Sequence, residues 1–134
     1  MFPELRNRDP KSIPSNVLAY IGDCVFELYS RLYVIDRSDG RINDLHRRNI
    51  AIVNAGAQAT AARRILENLS EDEQMIFRRG RNASSGAMAK NAHAADYRVA
   101  TGIETLIGYL FMTDAQERLK EVLELLFAEI PAER

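Results

Sequence analysis

The chain has 134 residues, 46% of them hydrophobic and 28% charged, with a formal net charge of −1. That is the length of one domain with enough apolar material for a core, which excludes a disordered or fibrous chain. No apolar run approaches the roughly 20 residues that cross a bilayer, and "MFPELRNRDPKSIPS" lacks the apolar stretch of a signal peptide, so the expectation is a cytoplasmic protein without membrane contact.

Residues 1–14 are polar, carry prolines at 3, 10 and 14, and read as an arm that leads into one domain over residues 15–134. Ser15 is the predicted N-cap of the first long helix. From Asn16 to about Asp36, the residues Val17, Ile21, Cys24, Leu28, Leu32 and Ile35 recur at helical spacing, and Val25 and Tyr29 widen the stripe. On such a face Cys24, the single cysteine, acts as a small hydrophobe. One cysteine rules out an internal disulfide and fits a reducing compartment. "RSDG" reads as a turn.

A second helix is predicted from Asn43 or Asp44, with Leu45, Ile50 and Val53 on its apolar side. "NAGAQATAARRILENL" continues it as an alanine-rich helix bent at Gly56. "SEDE" matches a capping box, Ser70 capping and Glu73 reaching back, and opens a shorter helix through Phe77. "GRNASSGAMAKNAHAA" has no apolar period and reads as a long loop, a length that often marks function. Residues 95–112 read as a helix with Val99, Ile103, Leu106, Ile107 and Leu110 inward. "DAQE" predicts a second capping box at Asp114 and Glu117, opening a last helix to Ile130, before Pro131. No strand pattern or repeat is visible, so the fold class is all-α, a single helical-bundle domain.

Two segments place a carboxylate among small and apolar residues: Asp23 in "LAYIGDCVFELY" and Glu104 in "ATGIETLIGYLF". Small neighbours, Gly22 beside Asp23 and Gly108 one turn after Glu104, let two helix backbones approach closely. Helices packed through these faces would bring the two acids together, and like charges in a partly buried site repel unless a cation or a shared proton relieves them. At this point two readings stand. A divalent cation such as Mg²⁺, which takes one or two protein carboxylates and keeps several waters, could sit between them. Alternatively, each acid pairs with an arginine, such as Arg98 or Arg31, or reaches solvent.

Taken together, "LAYIGDCVFELYSRLYV", "INDLHRR", "FRRGRNASSG", "AKN" and "YRVATGIETLIGYLF" resemble the ribonuclease III family. In particular they resemble Mini-ribonuclease III, the short bacterial form without a separate double-stranded-RNA-binding domain. The resemblance covers roughly residues 16–127. By it, Asp23 matches the aspartate of the family's "GD" signature and Glu104 the glutamate of "EALIG", here "ETLIG". Two positions depart from the larger family: Ala19 stands where a glutamate is usual and Thr101 where an aspartate is usual. Mini-ribonuclease III proteins share both departures, which favour one tightly held Mg²⁺ over a fully occupied two-metal site.

The resemblance implies a homodimeric, Mg²⁺-dependent endoribonuclease that cuts both strands of double-stranded RNA, leaving 5′-phosphate and 3′-hydroxyl ends. Its implied substrate is the stem formed by the two ends of the 23S ribosomal RNA precursor. Asp23 and Glu104 would be the catalytic metal ligands, with Glu27 in a supporting or ion-paired role. Tyrosines 20, 29 and 33 and the leucines of the first long helix are candidates for the dimer interface or for the core.

Residues 37–98 carry 11 basic and 7 acidic side chains, while residues 113–134 carry 3 basic and 6 acidic. A basic middle in a near-neutral chain marks either a polyanion-binding face or a solvated helix surface. With the resemblance, Arg79, Arg81, Asn82, Lys90 and Asn91 become candidate RNA contacts, since duplex RNA is read through phosphate and 2′-hydroxyl groups. His46 and Arg47 in "NDLHRR" are candidate phosphate contacts. No Cys/His spacing supports zinc, and no GxxxxGK[ST] supports a P-loop. The rival class is a non-catalytic ribonuclease III-like RNA-binding or ribosome-assembly module, which the presence of both carboxylates disfavours.

Overall fold

The apolar run after Pro14 becomes α2 (Ser15–Arg37) in the computed structural model, which describes residues 2–83 and 92–130. The arm before it holds a one-turn helix, α1 (Pro3–Arg6), and a 3₁₀ turn at Pro10–Ser12. It is tied down by Ile13, which is buried. Pro14, not Ser15, occupies the N-cap of α2, and no side chain caps it. The remaining helices are α3 (Ile42–Val53), α4 (Ala55–Ile65), α5 (Glu71–Ala83), α6 (Ala92–Met112) and α7 (Gln116–Ala128). No strand occurs among the described residues, so the all-α expectation holds, and no helix is long and apolar enough to cross a membrane.

Several local expectations are corrected. The break between α3 and α4 falls at Asn54, not Gly56. The extended backbone of Asn54 ends α3, and its side chain accepts from the Ala57 amide at 2.9 Å while donating to the Ile50 and Ala51 carbonyls. The Ser70–Glu73 capping box forms in both directions, at 3.1 and 2.9 Å. Its helix runs on past Phe77 to Ala83, because Gly80 packs against the Thr105 side chain of α6. The Asp114–Glu117 box does not form. Asp114 adopts a left-handed backbone with φ 58°, and Ala115 takes the N-cap.

Helix α6 is the centre of the bundle, packed most extensively against α2 and then against α5 and α4, with α7 closing the end. Its predicted inward residues Val99, Ile103, Leu106, Ile107 and Leu110 are all buried. They meet Phe26 and Val34 from α2, Ala62 and Ile65 from α4, and Val122, Leu123 and Leu126 from α7. The packed face of α2 is not the stripe predicted for it. Leu18, Val25, Phe26, Ser30 and Val34 are buried, whereas Val17, Tyr20, Cys24, Leu28, Leu32 and Ile35 are exposed, Tyr20 at 78%. Tyr29 and Tyr33 go to the core side, Tyr33 stacking on Phe127 at 4.8 Å between centroids. Ile50 of α3 is likewise exposed, with Asn49 and Ile52 buried instead.

The α2–α6 crossing is a backbone contact. A methyl group added to Gly22 would overlap the Glu104 carbonyl, and one added to Gly108 would overlap the Leu18 carbonyl. Glycine in a helix interior costs about 1 kcal/mol relative to alanine, and here it is required by the approach. Gly108→Ala is therefore expected to destabilise by about 3 kcal/mol or more, read as a lowered thermal midpoint. Gly56→Ala, whose new methyl would have its nearest neighbour at 3.4 Å, is expected to hold or raise it.

Candidate active site

The crossing fixes where two carboxylates go. Gly22 lies against the backbone of Glu104, and Asp23 follows Gly22 in the chain, so the side chains of Asp23 and Glu104 emerge on the same side of the contact. Their carboxyl groups lie within hydrogen-bonding distance. The two acids differ in environment: Asp23 is exposed and Glu104 is half-buried. Of the two acids, burial therefore falls mainly on Glu104. Burial, then the hydrogen bond and the negative charge of Asp23, push the Glu104 carboxyl up to about 9. At neutral pH without a cation the Glu104 carboxyl keeps its proton.

Neither acid takes an ion pair from an arginine or lysine among the described residues. The arginines available are engaged elsewhere or elsewhere placed: Arg31 meets Glu27 at 3.4 Å, and Arg63 meets Asp96 at 2.8 Å. Two adjoining carboxyl groups, Glu104 of raised proton affinity and Asp23 open to solvent, fit a hard divalent cation. Such a cation needs oxygen donors and removes the repulsion. No group of three or more His, Cys, Asp or Glu side chains converges among the described residues, so the protein offers two ligands and leaves the other coordination positions to water or substrate. Ala19 and Thr101 supply no carboxylate; Thr101 instead turns its hydroxyl back to the Tyr97 carbonyl at 2.9 Å.

The candidate RNA contacts divide into two groups on different helices. Arg79, Arg81 and Asn82 lie on the last turns of α5. Arg79 and Asn82 are exposed, while Arg81 lies over the Phe77 ring at 5.9 Å and donates to Asn82 at 3.2 Å. Lys90 and Asn91 lie outside the described residues. His46 and Arg47 are on α3, which runs antiparallel to α2, and His46 lines an apolar groove with Arg31, Val34 and Ile35. That places His46 some 8 to 12 residues from Asp23 along α2, on the order of 12–18 Å at 1.5 Å per residue. Arg47 and Arg48 are both paired with Asp44. The grouping suggested by charge alone is therefore two separate patches. One polar arrangement was not singled out from the sequence: Asn49, 5% exposed, donates to Glu27 Oε2 at 2.8 Å and accepts from the buried Ser30 hydroxyl. Only the tertiary fold pairs residues 22 positions apart.

The ribonuclease III domain profile matches residues 16–115. The Mini-ribonuclease 3 of Clostridium tetani is 46% identical over 123 residues, covering 91% of this chain and 82% of that protein. That of Enterococcus faecalis is 44% identical over 118 residues, covering 87% and 89%. That of Brevibacillus brevis is 38% identical over 133 residues, covering 99% of each. A Fusobacterium nucleatum protein of known crystal structure shares the fold with a TM-score of 0.79 at 24% identity, over 91% of this chain and 98% of that one.

The Glu104 shift predicts a pH-dependent stability. The folded state holds this proton up to about pH 9, against 4.5 for an ordinary glutamate. The contribution is complete below the ordinary value and is lost as pH rises towards 9, by up to about 1.4 kcal/mol per unit. In chelator, thermal midpoints of the wild type should fall from pH 5 to 8. Glu104→Gln keeps a donor to Asp23 and does not titrate, so its midpoint should fall less and exceed the wild type at pH 8. Parallel curves for the two proteins would remove the assignment.

Proposed function

The chain belongs to the ribonuclease III family, among its Mini-ribonuclease 3 members, and we propose that this endoribonuclease cuts double-stranded RNA at a Mg²⁺ site held by Asp23 and Glu104. The observation that carries the reading is the contact between these two carboxyl groups, one desolvated, with no ion pair to either from a described arginine or lysine. Residues 15–134 are the catalytic domain and residues 1–14 its arm. The exposed Cys24 thiol suits a reducing cytoplasm. Within the duplex class, we assign as substrate the stem joining the two ends of the 23S ribosomal RNA precursor.

When bound, Mg²⁺ neutralises charge on the phosphate and activates a water for in-line attack. Asp23, reached from solvent, and Glu104, set into the helix crossing, would hold the cation. Glu104 would have to give up its proton to serve as a ligand, so cation affinity would rise with pH. Attack of the water oxygen on phosphorus breaks the P–O3′ bond. The 5′-phosphate keeps the new oxygen and the 3′ oxygen leaves as a hydroxyl. Arg79, Arg81, Asn82, Lys90 and Asn91 would contact the backbone of the duplex, and His46 and Arg47 offer a second patch on α3.

A second copy supplies the symmetry that the substrate demands. Duplex strands run antiparallel, and a two-fold dimer presents two identical sites so related. The exposed residues Tyr20, Leu28, Leu32 and Ile35 of α2 support a homodimer through this face, since single exposed apolar residues are ordinary but a row along about four turns marks an association surface.

Asp23→Asn and Glu104→Gln preserve shape and remove ligand charge. Each is expected to lower Mg²⁺-dependent cleavage of a perfect RNA duplex by at least a hundredfold while retaining a cooperative melt. Near-wild-type cleavage by either variant would refute that residue's role.

Arg79→Ala, Arg81→Ala and Lys90→Ala are expected to weaken duplex binding. Each should reduce the slope of log affinity against log salt by about one for every phosphate left without its cationic partner. Unchanged affinity in all three would return this segment to a solvated connection.

A further inference from the structure

Glu27 lies one turn beyond Asp23 on α2, and side chains at this spacing are neighbours on a helix surface, with Cβ atoms roughly 5–6 Å apart. Its carboxylate is held from α3 and from the next turn of α2. Asn49 of α3 donates to Oε2 at 2.8 Å, and Arg31 approaches Oε1 only loosely, at 3.4 Å from an exposed position. Asn49 is itself fixed, because its Oδ1 accepts from the Ser30 hydroxyl, so its amide nitrogen must face Glu27. Both Asn49 and Ser30 are buried in the α2–α3 interface, Ser30 completely.

An apolar pair would close that interface without the desolvation that buried amide and hydroxyl groups incur. What the polar pair adds is direction: it sets the position of one carboxylate. Glu27 does not complete a three-ligand cluster with Asp23 and Glu104, which places it outside direct coordination. A hydrated divalent cation on two carboxylates keeps several waters, and a fixed acceptor one turn away is placed to take a hydrogen bond from one of them.

We propose that Glu27, aimed by the buried Ser30–Asn49 pair, is a positioning residue that orders the hydration shell of the cation at Asp23 and Glu104. This rests on the metal reading of that pair. Ligand-orienting partners of this kind change metal affinity by about 10–100-fold when removed.

The test uses the full chain with Mn²⁺ alone, its binding followed by electron paramagnetic resonance, beside cleavage assays across Mg²⁺ concentrations. Glu27→Ala should weaken Mn²⁺ binding about 10–100-fold and raise half-saturating Mg²⁺ by the same factor. Glu27→Gln, which can still accept from Asn49, should recover part of the loss. Asn49→Leu, which frees the carboxylate, should weaken Mn²⁺ binding as well, and the double variant should be no weaker than Glu27→Ala. Wild-type Mn²⁺ affinity in Glu27→Ala would overturn the proposal, as would losses that multiply in the double variant. If Asn49→Leu does not fold, Glu27→Ala and Glu27→Gln decide it. A wild-type chain that takes up no Mn²⁺ overturns the metal reading first and this inference with it, whereas wild-type uptake indifferent to position 27 overturns this inference alone.

Discussion

The contact between two glycines carries the molecule. At Gly22 and Gly108 the backbones of α2 and α6 touch, each glycine lying under a carbonyl of the other helix. No side chain separates the helices there, so their relative position is set by peptide geometry and not by deformable side chains. The rest of the bundle is arranged about α6, which α2, α4 and α5 all cover. Each further joint repeats the device on a smaller scale: Gly80 against Thr105, and Gly102 against Phe77. Close packing of this kind resists small shifts, which suits a candidate site whose two carboxyl groups come from two helices.

That rigidity works against electrostatics. The crossing forces Asp23 and Glu104 together whether or not anything neutralises them, and the desolvated member responds by holding its proton. The apo protein is therefore under a constraint that its own side chains do not relieve. Elsewhere the fold treats acids differently. Glu73 accepts from Ser70 and from two nitrogens of Arg118, and these donors hold its carboxyl below the usual range. One chain thus contains a carboxylate served by arginine and backbone donors and another that, among the described residues, meets a second acid instead.

The site was legible in the sequence to the extent that it depends on local chemistry. Small residues beside Asp23 and Glu104 announce a close crossing, and the inward residues of α6 follow from its nearly unbroken apolar and small residues, which the bundle buries on most sides. The packed face of α2 does not follow from spacing, because Leu18, Phe26 and Val34 compete with Leu28, Leu32 and Ile35, and spacing cannot choose between them. Gly80 and Gly56 read as breakers because their surroundings are invisible in sequence; tertiary contact keeps Gly80 helical, and a side-chain cap moves the break to Asn54. The Glu27–Asn49 bond joins positions on separate helices, and no local rule connects them.

The acid pair also has a place in time. Asp23 belongs to the first long helix and Glu104 to the sixth, and Gly108, which the crossing requires, follows four residues later. Helices form locally and fast, but contacts of high sequence separation wait for the loop between them to close. A chain emerging from the ribosome folds from its N-terminus, so α2 is complete long before its partner exists. Until α6 is synthesised, Asp23 stands on its helix without Glu104. An unfinished chain therefore carries no assembled acid pair next to the RNA-rich machine that makes it.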